Sequence, residues 1–325
     1  MGSEMCIRDR PLGGPNTRGK ALVNLLPLEQ GETVNSIMAL PEDEESWADL
    51  DIMFASRSGG VRRNSLSDFT RVNRNGKIAM KPDEGDGIVD VQVITEDDDL
   101  MLTTANGKSI RFRSTDVRRF VGRTSSGVRG IKLAAGDEVI SMAILRHVDI
   151  ETDEARAYMK HANAMRRALG DETEEETDDA GVETPIDAER LGFLQANEQF
   201  LLTLADDGLG KRSSSYDYRC MNRGGQGVTA QNLDRGKKSD DAKLVRSMRI
   251  EEDNQLMIVT DGGQLIRCPV GNISIVSRSA RGVTVIRVKD TERVVSVGRI
   301  EETEDEETQD SAAAPSDEGD KSSDS

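Results

Sequence analysis

Short apolar runs of β-forming residues recur along the chain, each broken by a glycine turn and followed by a second run that carries basic residues. Four segments align in this way: DIMFASRSGGVRRNSLSDF (51–69), DLMLTTANGKSIRFRSTDV (99–117), QFLLTLADDGLGKRSSSYDY (199–218) and QLMIVTDGGQLIRCPVGNI (255–273). Each predicts a β-hairpin, because Asn106-Gly107, Asp207-Gly208 and Gly262-Gly263 supply the positive φ that tight turns need.

The copies keep register. Four residues after the turn glycines Gly59, Gly107, Gly208 and Gly263 stand Arg63, Arg111, Arg212 and Arg267. A second set follows at Arg74, Arg123, Arg223 and Arg278, and then a second glycine, Gly76, Gly127, Gly227 or Gly282, opens another β run. RGKALVNLL, with Gly19 in the same role, reads as a partial further copy at the start. The turn glycines are 48, 101 and 55 residues apart. A period near 50 residues predicts four-stranded propeller-type blades. The long interval predicts an insert over 151–190, helical across 151–169 and acidic and loop-like across 170–185. The expected units are a partial blade (11–30) and full blades at about 31–82, 83–135, 136–235 and 236–300.

Composition supports thin sheets over one thick core: only 6 Phe, 3 Tyr and 1 Trp occur in 325 residues. Trp47 falls in an expected loop over 41–49 and takes no inferred role. The formal charge of −17 is uneven. Residues 301–325 hold 11 acids and one lysine, and 151–190 hold 13 acids and five basic residues, so the rest is close to neutral. The 301–325 tail is expected to be disordered, and the first ten residues, MGSEMCIRDR, to be a foreign or read-through start. No apolar run approaches the length of a membrane span. Three scattered cysteines and two histidines form no zinc motif, and a cytoplasmic, reducing location fits.

Equivalent residues of a repeat occupy equivalent places around a ring. The arginines therefore predict curved basic rows, which suit a bent polyanion through counterion release without reading base sequence. The candidate DNA-binding residues are Arg62, Arg63, Arg74, Lys77, Lys108, Arg111, Arg113, Arg118, Arg119, Arg123, Arg129, Lys211, Arg212, Arg219, Arg223, Arg267, Arg278 and Arg281. Arginines on strand faces also serve as solvated guards of sheet edges, which is the competing reading. Ser213–Ser215 read as a turn, Tyr216 and Tyr218 as packing residues, and His147 and His161 as neither metal ligands nor catalysts. The glycine pairs lack dinucleotide-binding or Walker spacing, and no catalytic residue is assigned.

GKALVNLLPLEQGE (19–32), NRNGKIAMK (73–81), SSGVRGIKL (125–133), DGLGKR (207–212) and GNISIVSRSARGVTVIRV (271–288) resemble the C-terminal domain of DNA gyrase A, a component of a bacterial type II topoisomerase. The resemblance covers about residues 11–300. It implies an all-β pinwheel whose blades exchange strands and whose rim wraps double-stranded DNA in support of ATP-dependent negative supercoiling. It further implies the rest of the gyrase A polypeptide and the ATPase component, gyrase B, as partners in a heterotetramer. No cofactor belongs to this chain; ATP and Mg2+ would be used by the holoenzyme. The family's glutamine–basic–glycine heptad is absent, with MNRGGQG (221–227) only an echo, and the breakage–reunion part with its tyrosine is missing. The alternatives are the looser C-terminal domain of the corresponding topoisomerase IV polypeptide and a protein-interaction propeller without DNA binding.

Overall fold

The turn glycines organise the architecture. The computed structural model describes residues 34, 37–70, 78–122, 125–170, 184–236, 242–289 and 291–300. The four hairpins form as β1 (Asp51–Ser56) and β2 (Gly60–Ser65), β4 (Asp98–Thr104) and β5 (Lys108–Arg113), β8 (Phe200–Ala205) and β9 (Leu209–Ser214), and β12 (Gln255–Thr260) and β13 (Leu265–Pro269). All four turn glycines have positive φ: +88° at Gly59, +77° at Gly107, +84° at Gly208 and +81° at Gly263.

A third strand lies along the first strand of each hairpin: β3 (Ile88–Ile94), β7 (Val139–Arg146), β11 (Leu244–Ile250) and β15 (Val294–Ile300). Each pairing carries one bulge at an equivalent place, at Ala55/Ser56, Thr103/Thr104, Leu244/Arg246 and Val259/Thr260. These third strands pack against one another in succession and form the inner edge of the assembly.

The outermost strand of a blade comes from the repeat that follows. The two-residue strands β6 (Val128–Arg129), β10 (Val228–Thr229) and β14 (Val283–Thr284) pair with β2, β5 and β9 respectively. The sheet orders are therefore β3-β1-β2-β6, β10-β5-β4-β7, β11-β8-β9-β14 and β13-β12-β15, the last with three strands among the described residues. Gly227 shows why glycine opens each crossover. Its φ is +72°, and a Cβ there would lie 2.2 Å from the Ser109 carbonyl oxygen of the blade it joins.

The core lies between blades. Along β4, Leu100 and Leu102 face the first blade, and Met101 faces the third. Along β8, Leu201 and Ala205 face the second blade, and Leu202 and Leu204 the fourth. The two-residue period of a strand thus serves two thin apolar layers at once, and few aromatics are needed. Trp47 departs from expectation. It lies in a 3-10 helix (Glu44–Ala48), where it is buried with Ile52, Phe54, Leu66 and Met80 over the outer face of the first blade, and its Nε1 donates to the Pro41 carbonyl at 3.0 Å.

The insert contains the expected helix, α1 (Thr152–Leu169), and a second one, α2 (Ala188–Ala196), that extends beyond the expected limit at 190. Asp187 caps α2 by accepting from the Arg190 N–H at 2.7 Å. Both helices bind the blade body. Tyr158 meets Tyr216 edge-to-face at 5.3 Å, Tyr216 Oη donates to the Leu194 carbonyl, and Arg190 pairs with Glu154 at 2.6 Å.

Candidate nucleic-acid interface

The arginines four residues after each turn glycine occupy the middle of the hairpin's second strand. There the crossover of the next repeat lies over them. Arg63, Arg111 and Arg212 are 4%, 3% and 7% exposed. Their carbonyls accept from the Phe120, Met221 and Val276 N–H groups of the following repeat at 2.8, 2.9 and 2.9 Å. The guanidinium of Arg63 pairs with Asp51 and Glu96. That of Arg111 pairs with Asp99 at 2.8 Å and donates to the Ser215 carbonyl of the next repeat at 2.8 Å. Arg212 donates to the carbonyls of Ile273 and Gly271.

The expected outer row of Arg63, Arg111 and Arg212 is therefore corrected: these side chains tie one blade to the next. Their regular spacing records a repeated joint, because a buried cation needs partners in every copy. Arg267 is exposed on β13, where no described crossover covers it.

Arg62 and Lys211 are also interior. Arg62 donates to Asn64 Oδ1 and Ser125 Oγ and lies 4.8 Å from the centre of the Phe120 ring, and burial lowers its pKa against the opposing pull of Asp68. Lys211 Nζ donates to the Ser277 carbonyl at 2.6 Å. Arg119 is 46% exposed and pairs with Asp51 at 2.7 Å, and Arg113 reaches Asp99 at 3.6 Å.

Several exposed cations recur on the crossovers, the outermost layer of the blades, while others such as Arg57, Arg146 and Arg299 are exposed elsewhere. Arg118, Arg129, Arg219 and Arg281 are exposed there, with Lys108 at the adjoining turn, its Nζ on Thr229 Oγ1 at 3.1 Å. Arg118 stacks at 4.4 Å on Phe120. Arg223 and Arg278 are partly buried and repeat one contact: each donates to the preceding exchange strand, at the Arg129 carbonyl (2.9 Å) and the Thr229 carbonyl (3.1 Å). Arg74, Lys77 and Arg123 lie outside the described residues.

Sequence reasoning missed one exposed row. Lys81, Lys132 and Arg287 are exposed and stand, in sequence, five residues after the second glycine of their repeats, Gly76, Gly127 and Gly282, with Asn232 at the equivalent place after Gly227. The signal was available in the same register that singled out the buried arginines. Together these residues make a basic, sequence-indifferent outer surface fit for phosphate contact.

One group of possible metal ligands occurs among the described residues: Asp99, His147 and Cys220 lie within 4.8 Å of one another. The Asp99 carboxylate already accepts from Arg111 and meets His147 Nδ1 at 3.0 Å, while burial, with Asp99 adding to it, raises the Cys220 thiol pKa. The cluster works as a joint between the second blade and the crossover that bears Cys220.

A family model described as the DNA gyrase C-terminal domain, a β-propeller, matches residues 50–95, 98–146, 199–248 and 254–301. The chain belongs to the DNA gyrase C-terminal domain family. Within that family, the four matched stretches correspond to the four hairpins with their third strands. The DNA gyrase A polypeptide of Granulibacter bethesdensis is 44% identical over 305 residues, covering 90% of this chain and 32% of that protein. Its Rickettsia bellii counterpart is 39% identical over 93% of the chain, and the Escherichia coli one 30% over 97%. The chain spans about a third of the length of these relatives. Solved C-terminal domains of DNA topoisomerase IV (TM-score 0.64, 17% identity, 87% of this chain and 71% of that one) and of DNA gyrase A (0.61, 20%, 87% and 75%) share the fold. The chain is a β-pinwheel.

Proposed function

We propose that the pinwheel binds double-stranded DNA around its outer edge without reading base sequence, as the wrapping portion of a gyrase A polypeptide. The observation that carries this reading is the recurrence of exposed arginines on successive crossovers, the outermost strands of a family fold associated with gyrase. Each phosphate neutralised releases counterions, and that gain offsets a bending cost on the order of 1–6 kcal/mol for a wrapped site. The rest of the gyrase A polypeptide and an ATPase component, gyrase B, complete the proposed heterotetramer, which supplies ATP and Mg2+ chemistry and strand passage in the cytoplasm.

The test is an electrophoretic titration of the chain with linear duplex DNA at several salt concentrations. A steep fall of log K with log[salt], about 0.9 per phosphate contacted, is expected. A flat response overturns the reading and favours a protein-interaction propeller. In the intact polypeptide with its ATPase partner, a plasmid assay comparing supercoiling with decatenation separates gyrase from topoisomerase IV.

A further inference from the structure

The insert interrupts the blade pattern, yet its first helix carries a basic ridge. On α1, Ala155, Tyr158, Ala162 and the half-buried Met159 face the blade body. On the opposite side Arg156, Lys160 and Arg167 are exposed. At about 100° per residue these three fall within roughly 40° of arc, so they form a single ridge about 16 Å long. The acids of the insert's described helices are largely spoken for: Glu154 pairs with Arg190, and Asp153 with Arg156 at 3.0 Å. Glu198, just beyond α2, pairs with Arg166.

The ridge is held in place. Tyr158 meets Tyr216 edge-to-face, and Tyr158 Oη donates to Glu198 at 3.0 Å. Tyr216 belongs to the 3-10 turn Ser215–Asp217, from which the crossover carrying Arg219 and Arg223 departs. Arg219 follows Tyr216 by three residues, at most about 10 Å of chain. The helix thus packs on the turn from which that basic crossover departs.

We propose that Lys160 and Arg167 of α1 contact DNA phosphates that the crossovers alone do not reach, so that the insert widens the bound segment. This rests on the DNA-binding reading above and adds a second contact site to it.

The test compares the full chain with Lys160→Ala/Arg167→Ala in the salt titration, using a duplex long enough to cover the blades and a shorter one. The double variant is expected to lose roughly 1.8 from the log–log slope, about 0.9 per phosphate, on the long duplex only. Thermal melting coincident with the parent shows that packing is intact, since both side chains are exposed. A parent slope near zero removes the underlying reading. A normal parent slope that the double variant leaves unchanged, while Arg219→Ala lowers it, overturns this inference alone. Lys160→Arg/Arg167→Lys keeps the charge and is expected to keep the slope; loss there shows that phosphate neutralisation is not what these side chains supply and also overturns it.

Discussion

Arg111 and Arg219 are both arginines of the repeat, and they answer to different forces. Arg111 is interior, held by Asp99 and the Ser215 carbonyl. Replacing it with alanine takes from the buried Asp99 its closest cation, leaving Arg113 at 3.6 Å, with an expected loss of about 3 kcal/mol in denaturant unfolding. Arg219→Ala is expected to change stability by less than about 0.5 kcal/mol and to lower the salt slope by roughly 1. The register of the arginines was legible in sequence; their side was not, because the cover over Arg111 comes from a repeat about 100 residues away. A local clue existed in Asp51 and Asp99, each 12 residues before its arginine. It fails at Arg212, where the same step reaches Phe200 and carbonyls take the carboxylate's place. The tyrosines offer a separate check. Burial raises the pKa of Tyr158, Tyr216 and Tyr218, the only three in the chain. Their favoured neutral forms stabilise the fold fully below the ordinary value of about 10, and that contribution is lost as pH rises through the raised values. Ultraviolet titration is therefore expected to show almost no phenolate at about pH 10 in the folded protein, against half-ionisation in denaturant.

Among the elements, the two-residue exchange strands carry more than their length suggests. Gly130, Ala230 and Val285, just after them, donate backbone N–H groups to the turn glycines Gly59, Gly107 and Gly208 of the preceding unit at 2.8, 2.8 and 3.0 Å. Gly227→Ala is expected to push β10 off β5 and cost at least about 1 kcal/mol, seen as faster amide exchange at Ala230. Hairpins were legible because turn glycines and β-forming runs are local signals. The exchange was legible only through the family resemblance, since two residues have no period and their partner lies in another repeat. In the insert, α1 was legible from its composition, whereas α2 has nine residues, contains Gly192 and depends on the Asp187 cap and on tertiary contacts. The hydrogen bonds from Arg190 hold the Glu154 carboxyl below its usual value. Its contribution is present above about pH 4.3 and is lost as pH falls through the depressed folded value. Near-ultraviolet circular dichroism of the Tyr158–Tyr216 pair is expected to report that acid transition, and Glu154→Gln to remove its pH dependence.

At the scale of the whole molecule, the apolar layers lie between blades and every complete sheet borrows its edge from its successor. Among the described residues, the first three sheets are each finished by the repeat that follows. Among the described residues the fourth sheet ends at β13, where Leu265 is 62% exposed, and β13 amides are expected to exchange faster than those of β9. When that unit loosens it takes β14 with it and bares Leu209 and Gly210 of the third; the third in turn carries off β10 and uncovers the second. The molecule should come apart as knitting ravels, one row freeing the row before it.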